Sequence, residues 1–202
     1  MSREILAQSY RERQAFFAKE DELLRCLVNE GQAPTALFIG CADSRVTPEQ
    51  LFGLKPGDWF LYRNIANIVP PYEVQETGTM AVLEFAVLYL KIPHIIICGH
   101  TDCGGIKGLD LPLDNGREPG LVSWLTYARS AQAMVDVRRD VSEADRHRMI
   151  VEQNVMLQLQ HLETYPFVQA ALASQTLELH GWVYDLHHQK IVYFDTITGK
   201  FE

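Results

Sequence analysis

Short, nearly continuous apolar runs along the chain predict strands that are buried on both faces of a sheet. Residues 35–40 and 94–100 are two such runs, and the second is rich in isoleucine, which is typical of a parallel sheet. Residues 59–62 form a third, shorter run. A polar segment of hairpin length separates residues 177–185 from 191–195, which predicts that the last edge strand is antiparallel.

Helical patterns alternate with these strands. Residues 1–30 predict an N-terminal helical arm whose apolar side faces another element or another subunit. Its apolar positions include Ile5, Phe16, Phe17, Leu24 and Leu27. Residues 80–90 are apolar on nearly every side and predict a helix buried against a sheet or a partner subunit, and further helices are expected over about 121–137 and 142–164.

The order of these elements predicts an α/β fold. We expect a single domain over residues 1–202, with a three-layer-like arrangement of a central, mostly parallel β-sheet between flanking helices. One antiparallel edge strand completes the sheet, and the N-terminal helical arm extends from it.

The balance of charge narrows the classes of partner. Asp and Glu outnumber Lys and Arg by 26 to 18, so the net charge of −8 leaves no broad cationic surface for nucleic acid or anionic lipid. No apolar run has the length of a membrane span, and the first residues lack the features of a signal peptide. We therefore expect a cytoplasmic protein that binds neither nucleic acid nor membrane. Four cysteines are too few for a disulfide framework, which draws attention to their spacing.

Two short motifs place candidate metal ligands at the ends of predicted strands. One is Cys41-x-Asp43-x-Arg45, and the other is His100-x-x-Cys103. If the two strands are neighbours in a parallel sheet, their carboxyl ends bring two thiolates and an imidazole together. These ligands favour one Zn²⁺ per subunit, and three protein ligands leave a fourth position open, as in catalytic zinc sites.

Asp43 has two alternative roles beside such an ion. It either occupies the fourth position itself or accepts a hydrogen bond from zinc-bound hydroxide. Arg45 favours the second role, because a guanidinium group can hold both oxygens of a carboxylate and keep it away from the metal. Cys98, two residues before His100, is the strongest competing ligand, but its isoleucine neighbours favour a thiol in the core.

The segments CADSR, RNIANIVPP and GHTDCGGIKG closely resemble the β-class carbonic anhydrases of bacteria, cyanobacteria and plants. The likeness continues through VEQNVMLQLQHLETYP and LHGWVYD near the C-terminus. This resemblance implies the zinc-dependent, reversible hydration of carbon dioxide to bicarbonate and a proton. It also implies self-association as a dimer or a higher homo-oligomer, with active sites at the subunit interface.

The resemblance further implies a role for individual residues. The metal ligands would be Cys41, His100 and Cys103, and the catalytic dyad would be Asp43 and Arg45. The carbon dioxide pocket would be lined by Gln32, Phe60, Phe85 and Gly104.

Some bacterial members of this family hold an inhibitory bicarbonate near the metal through Trp, Arg and Tyr side chains. The corresponding residues here are Phe38, Val46, Arg63 and Tyr184. Phe38 stands where the Trp would be, and phenylalanine has no indole N–H to donate. We therefore expect weak or absent inhibition by bicarbonate.

Two other functions remain open at this point. A zinc hydrolase of carbon disulfide or carbonyl sulfide could use the same scaffold, because a fold and its metal site do not fix the substrate. An inactive, zinc-stabilised assembly module would keep Asp43 permanently on the metal. Some cyanobacterial relatives are carboxysomal and carry a further C-terminal tail; since the sequence ends at Glu202, we do not expect that route of recruitment here.

Overall fold

The computed structural model describes Gln14, residues 19–138 and residues 141–202. Ile5, Phe16 and Phe17 of the expected N-terminal arm lie outside the described residues. Residues 19–30, which contain Leu24 and Leu27, form helix α1. No helix in the described part of the chain is long and apolar enough to cross a membrane.

Six strands form one mixed sheet. They are β1 (Ala36–Cys41), β2 (Trp59–Asn64), β3 (His94–His100), β4 (Glu178–Asp185), β5 (Lys190–Asp195) and β6 (Lys200–Phe201). Their order is β2-β1-β3-β4-β5-β6; the pairs among the first four are parallel, and those that involve β5 and β6 are antiparallel. The predicted α/β class, with a mostly parallel sheet and an antiparallel edge, is confirmed. The two-residue strand β6 was not predicted.

Helices flank both faces of this sheet. After α1 come α2 (Pro48–Leu51), α3 (Thr77–Glu84), α4 (Gly104–Lys107), α5 (Pro119–Leu125), α6 (Arg129–Asp136), α7 (Glu143–Leu162) and α8 (Pro166–Ala173). The helix expected over 142–164 corresponds to α7. The segment expected as one helix over 121–137 is helical, but a 3₁₀ turn at Thr126–Ala128 divides it into α5 and α6.

Side chains that alternate along the parallel strands pack into two cores, one on each face of the sheet. Ile39 and Ile97 belong to the larger core, which is covered by α3, α6, α7 and α8. Phe38 and Cys98 belong to the smaller core, together with Phe52, which follows α2. The layered arrangement is thus helix, sheet, helix, and Cys98 is a core thiol.

The segment predicted as a buried helix over 80–90 changes its winding halfway. It begins as α3 and continues as a π-helical turn over Phe85–Tyr89, in which the N–H of Leu90 donates to the carbonyl of Phe85 at 2.9 Å. Phe85, Leu88 and Tyr89 are exposed, with Tyr89 at 75%. Leu83 and Ala86 of this segment are buried in the larger core, while these three residues form an exposed apolar face, for which burial against a partner subunit stays a prediction.

Buried amide side chains of α7 hold the loop that follows β2. Asn154 donates to the carbonyl of Ala66 at 3.0 Å, and the side-chain oxygen of Gln158 accepts from the N–H of Val69 at 2.9 Å. Gln158 also donates to the side-chain oxygen of Asn154 at 2.9 Å. Ala66 and Asn67 have φ values of 60° and 49°, a left-handed conformation that costs roughly 1–2 kcal/mol per residue outside glycine. The α7 amides offset that cost.

Replacing Gln158 with Leu should lower the free energy of unfolding by about 2–3 kcal/mol, because a buried N–H and a buried amide lose their partners. Urea denaturation followed by circular dichroism measures this change. Gln160→Leu is the matched control, since Gln160 lies on the same helix and is exposed; its expected effect is within about 0.5 kcal/mol. Equal losses in the two variants would contradict a role for the buried amide.

Candidate metal centre

Three candidate ligands meet at the carboxyl edge of the parallel sheet. β1 and β3 are adjacent parallel strands in which Gly40 is aligned with Cys98, so the strands deliver Cys41 and His100 to the same edge. Cys103 lies just before α4. The ligand atoms of Cys41, His100 and Cys103 lie within 4.8 Å of one another, and all three residues are buried. The convergence expected from neighbouring strands is therefore present in the structure.

The geometry of these side chains fits a tetrahedral metal ion. The sulfurs of Cys41 and Cys103 are 3.9 Å apart, while two thiolates bound to one tetrahedral zinc ion at 2.3 Å would be about 3.8 Å apart. Nδ1 of His100 lies 2.9 Å from the carbonyl of Thr101, which requires the proton on Nδ1 and leaves the lone pair on Nε2. That Nε2 is buried without a hydrogen-bond partner among the described residues. A buried, unpartnered lone pair facing two sulfurs is what a cation would satisfy.

The sulfur environment favours a thiolate at this edge. A hydrogen bond from Cys103 lowers the pKa of Cys41. Burial opposes this shift, while His100 and the backbone N–H groups of Asp43 and Ala66 add to it. The same sulfur–sulfur contact, followed by burial, raises the pKa of Cys103. By contrast, burial raises the pKa of Cys98 to about 12, which keeps that thiol protonated.

Arg45 holds Asp43 at both carboxylate oxygens. Its Nε donates to Oδ1 at 2.9 Å and its Nη2 donates to Oδ2 at 2.8 Å, while the backbone N–H of Arg45 adds a further bond to Oδ1 at 2.9 Å. These bonds hold the pKa of Asp43 well below its usual range, so the carboxylate is ionised. Oδ2 of Asp43 lies 3.8 Å from Nε2 of His100. Asp43 is therefore next to the candidate ligands, while its carboxylate is bound by the guanidinium of Arg45.

Arg45 also binds a residue that the sequence did not single out. Its Nη1 donates to Oδ2 of Asp102 at 2.7 Å, and its Nη2 donates to the carbonyl of Asp102 at 3.1 Å. Lys107 pairs with the other carboxylate oxygen, and these contacts lower the pKa of Asp102 to about 2. Asp102 has a φ of 60°, a left-handed conformation between His100 and Cys103. Arg45 therefore connects the end of β1 with the turn that carries the third ligand; the only sequence signal was the position of Asp102 inside the His-x-x-Cys motif.

The four residues of the expected regulatory site occupy two environments. Phe38, Val46 and Tyr184 are buried in the smaller core, where the Phe38 ring stacks on Trp59 at 5.9 Å. The guanidinium of Arg63 instead binds backbone carbonyls. Its Nε donates to the carbonyl of Cys41 at 2.9 Å, and its Nη2 donates to the carbonyl of Asp43 at 2.6 Å. Arg63 thus supports the backbone of the Cys41 motif.

The expected pocket residues are not assembled within one chain. Gly104 directly follows Cys103, but Phe60 lies four residues before Asn64, the residue aligned with Cys41. That separation is about 13 Å along a strand. Phe60 contacts Phe85 with ring centroids 5.9 Å apart, on the side of the exposed apolar face, and Gln32 is exposed. Within one chain these residues lie apart, and their shared role in a carbon dioxide pocket at a subunit interface stays a prediction.

A parallel sheet that brings two thiols and an imidazole together at its carboxyl edge defines an α/β protein with a candidate metal centre. Comparison with known proteins gives the family. The carbonic anhydrase family model matches residues 36–191. A carbonic anhydrase of Pseudomonas aeruginosa is 39% identical over 199 residues, covering 98% of this chain and 90% of that protein. The chain therefore belongs to the β-class carbonic anhydrase family, and it is a carbonic anhydrase, an enzyme of the lyase class.

Solved structures agree with this assignment. The β-carbonic anhydrase CcaA superimposes with a TM-score of 0.93 at 33% identity, covering 100% of this chain and 98% of that chain. One of two tetrameric β-carbonic anhydrases from the ascomycete Sordaria macrospora superimposes with a TM-score of 0.79 at 32% identity, covering 95% and 96%. The similarity thus extends over nearly the whole described fold.

Proposed function

We propose that this chain catalyses the zinc-dependent, reversible hydration of carbon dioxide to bicarbonate and a proton. Cys41, His100 and Cys103 would hold the Zn²⁺ ion. The observation that carries this proposal is the convergence of two sulfurs on the buried Nε2 of His100 in a member of this family. Within the described part of the chain, that nitrogen has no hydrogen-bond partner. When bound, zinc would act as a Lewis acid that lowers the pKa of water and so supplies a nucleophile near neutral pH.

Asp43 is proposed to orient that nucleophile. Both of its oxygens are engaged by Arg45, which supports a position beside the ligands rather than among them. An ionised carboxylate can only accept hydrogen bonds, so Asp43 would accept a hydrogen bond from the O–H of the attacking nucleophile and direct the oxygen lone pair toward carbon dioxide. Arg45 would keep Asp43 ionised and in place, and Asp102 would fix Arg45 from the opposite side.

The carbon dioxide pocket is proposed to be completed by a second copy of the chain. Phe60 and Phe85 contact each other next to the exposed apolar face of Phe85, Leu88 and Tyr89, away from the ligands of their own subunit. Large exposed apolar patches mark association surfaces, and the similar Sordaria proteins are tetrameric. Self-association through this face would place the aromatic pair of one subunit near the metal centre of another.

A Leu88→Glu substitution should therefore disrupt self-association, because it would bury a charge in the proposed interface. Size-exclusion chromatography with light scattering should show a smaller species, and hydration activity should fall with it. Val137→Glu is the matched control, since Val137 is 78% exposed and lies outside this face. A Leu88→Glu protein of unchanged mass would refute the interface.

Stopped-flow hydration of carbon dioxide across pH, with zinc quantified in the same sample, tests the proposed activity directly. We expect turnover that rises on the alkaline side, because two thiolates donate more charge to the ion than imidazoles and leave its water less acidic. Carbon disulfide and carbonyl sulfide should be assayed side by side. Faster turnover of those compounds would replace the proposal with a sulfur-substrate hydrolase, and zinc content without alkaline turnover would indicate an inactive assembly module.

Inhibition by bicarbonate is proposed to be weak or absent. The Phe38 ring is fully buried, fills the space over Gly40 and offers no N–H, and two donors of Arg63 are already bound to carbonyls. Activity at lower pH should respond equally to bicarbonate and to chloride at matched ionic strength. A cooperative loss of activity that only bicarbonate produces would contradict this expectation.

A further inference from the structure

A second group of potential metal ligands lies at the opposite end of the sheet. His94 begins β3 and Glu178 begins β4, and the two residues are aligned in the parallel pair. His180 follows two residues after Glu178, so all three side chains project from the same face. His94 is six residues from His100, about 20 Å along the strand, so this group is separate from the catalytic centre.

The ligand atoms of this group surround one point. Nδ1 of His94 and Nε2 of His180 are 3.2 Å apart, and Oε2 of Glu178 lies 3.7 Å from the first and 3.9 Å from the second. Two ligands of a tetrahedral ion at 2.0–2.1 Å are about 3.4 Å apart, so the nitrogens already have the required spacing. The Glu178 side chain is 70% exposed and free to close the remaining distance.

The chemistry of the group fits a cation of intermediate softness. Neutral imidazole is the form that binds metals, and burial, followed by the neighbouring His94, lowers the pKa of His180. Two imidazoles and one carboxylate are a ligand set found with divalent zinc, cobalt and related ions. The side chains of His94 and His180 are 43% and 33% exposed, so an ion can reach them from solvent.

We propose that His94, Glu178 and His180 form a second binding site for a divalent transition metal ion. Two imidazoles alone could simply share a hydrogen bond. The Glu178 carboxylate adds a negatively charged third ligand beside the same two ring nitrogens, and this favours a cation. Two protein nitrogens and one oxygen leave further positions for water, so the ion would be exchangeable. Because the group lies about 20 Å from the catalytic centre, the ion would take no part in the proposed hydration of carbon dioxide.

Titration of the zinc-loaded enzyme with Co²⁺, by calorimetry and visible absorption, tests the site. The wild-type protein should bind one further equivalent per chain, with the spectrum of a nitrogen and oxygen site and no thiolate-to-cobalt charge-transfer band. The His94→Ala/His180→Ala variant should lose that equivalent. His187→Ala/His188→Ala, which removes the exposed pair at the hairpin tip, should bind Co²⁺ as the wild type does.

Three results would overturn the proposal. They are the absence of a second equivalent in the wild type, its retention in the His94→Ala/His180→Ala variant, and a growing thiolate band, which would mean exchange at the catalytic centre. Should the double variant fail to fold, Glu178→Gln keeps both imidazoles and changes only an exposed side chain. It should weaken Co²⁺ binding by at least about tenfold, and unchanged affinity would equally overturn the proposal.

Discussion

A His100→Ala protein should be isolated without stoichiometric zinc, and its rate of carbon dioxide hydration should fall by more than roughly 10³-fold. The reason is that His100 supplies a buried nitrogen that faces both sulfurs and has no hydrogen-bond partner among the residues that the structure describes. Loss of this ligand leaves two thiols and removes the means of generating a nucleophile at neutral pH. Metal analysis by inductively coupled plasma spectrometry, together with stopped-flow kinetics, measures both quantities.

Cys98→Ala provides the matched control for this experiment. Cys98 lies on β3 two residues before His100 and is equally buried, but its sulfur contacts the carbonyl of Gly99 instead of joining the ligand group. This variant should be destabilised by the lost packing while it keeps zinc and most of its activity. A His100→Ala enzyme that retained full zinc and turnover would refute the assignment of the ligands.

An Asp43→Asn protein should retain zinc and lose about 10²- to 10⁴-fold in turnover. Asparagine has nearly the same shape, but it carries no charge and presents N–H donors where Asp43 accepts. The bonds from Arg45 would be weakened, and the nucleophile would lose its acceptor. Zinc content and the hydration rate, determined on one preparation, separate this effect from loss of the metal.

Asp102→Asn is the comparison that isolates the role of Asp43. Asp102 binds the same guanidinium from the other side, but it lies in the turn between His100 and Cys103, and its carboxylate pairs with Arg45 and Lys107. Its substitution should therefore reduce turnover less than that of Asp43. If the two variants were impaired equally, the contribution of Asp43 would lie in holding Arg45 and not in orienting the nucleophile.

The parts of this structure that were predictable from sequence depend on local pattern and on simple topology. Strand β3 coincides with the run 94–100, because continuous β-branched residues have few alternatives to a buried strand. The meeting of Cys41 and His100 followed from placing two such strands side by side. The first prediction needed only the local sequence of the strand. The second needed one further rule, that adjacent parallel strands end at the same edge of a sheet.

The parts that were not predictable depend on partners distant in sequence. The left-handed turn at Asp102 is held by Arg45, which is 57 residues away. The π-helical turn at Phe85–Tyr89 changes which side chains are exposed, but its five residues include no proline or glycine from which the turn could have been predicted. The pocket residues could be named by resemblance, but a single chain does not bring them together. Patterns along one chain carry no direct record of such contacts.

The hydrogen bonds from the amide side chains of α7 to the loop after β2 affect when the metal centre can form during synthesis. Asn154 lies 88 residues after Ala66, whose backbone N–H in turn supports the Cys41 sulfur. During synthesis, a nascent chain that has left the ribosome with both ligand motifs still lacks the helix that shapes their surroundings. We therefore expect stable insertion of the ion to be a late event, one that awaits the last third of the polypeptide.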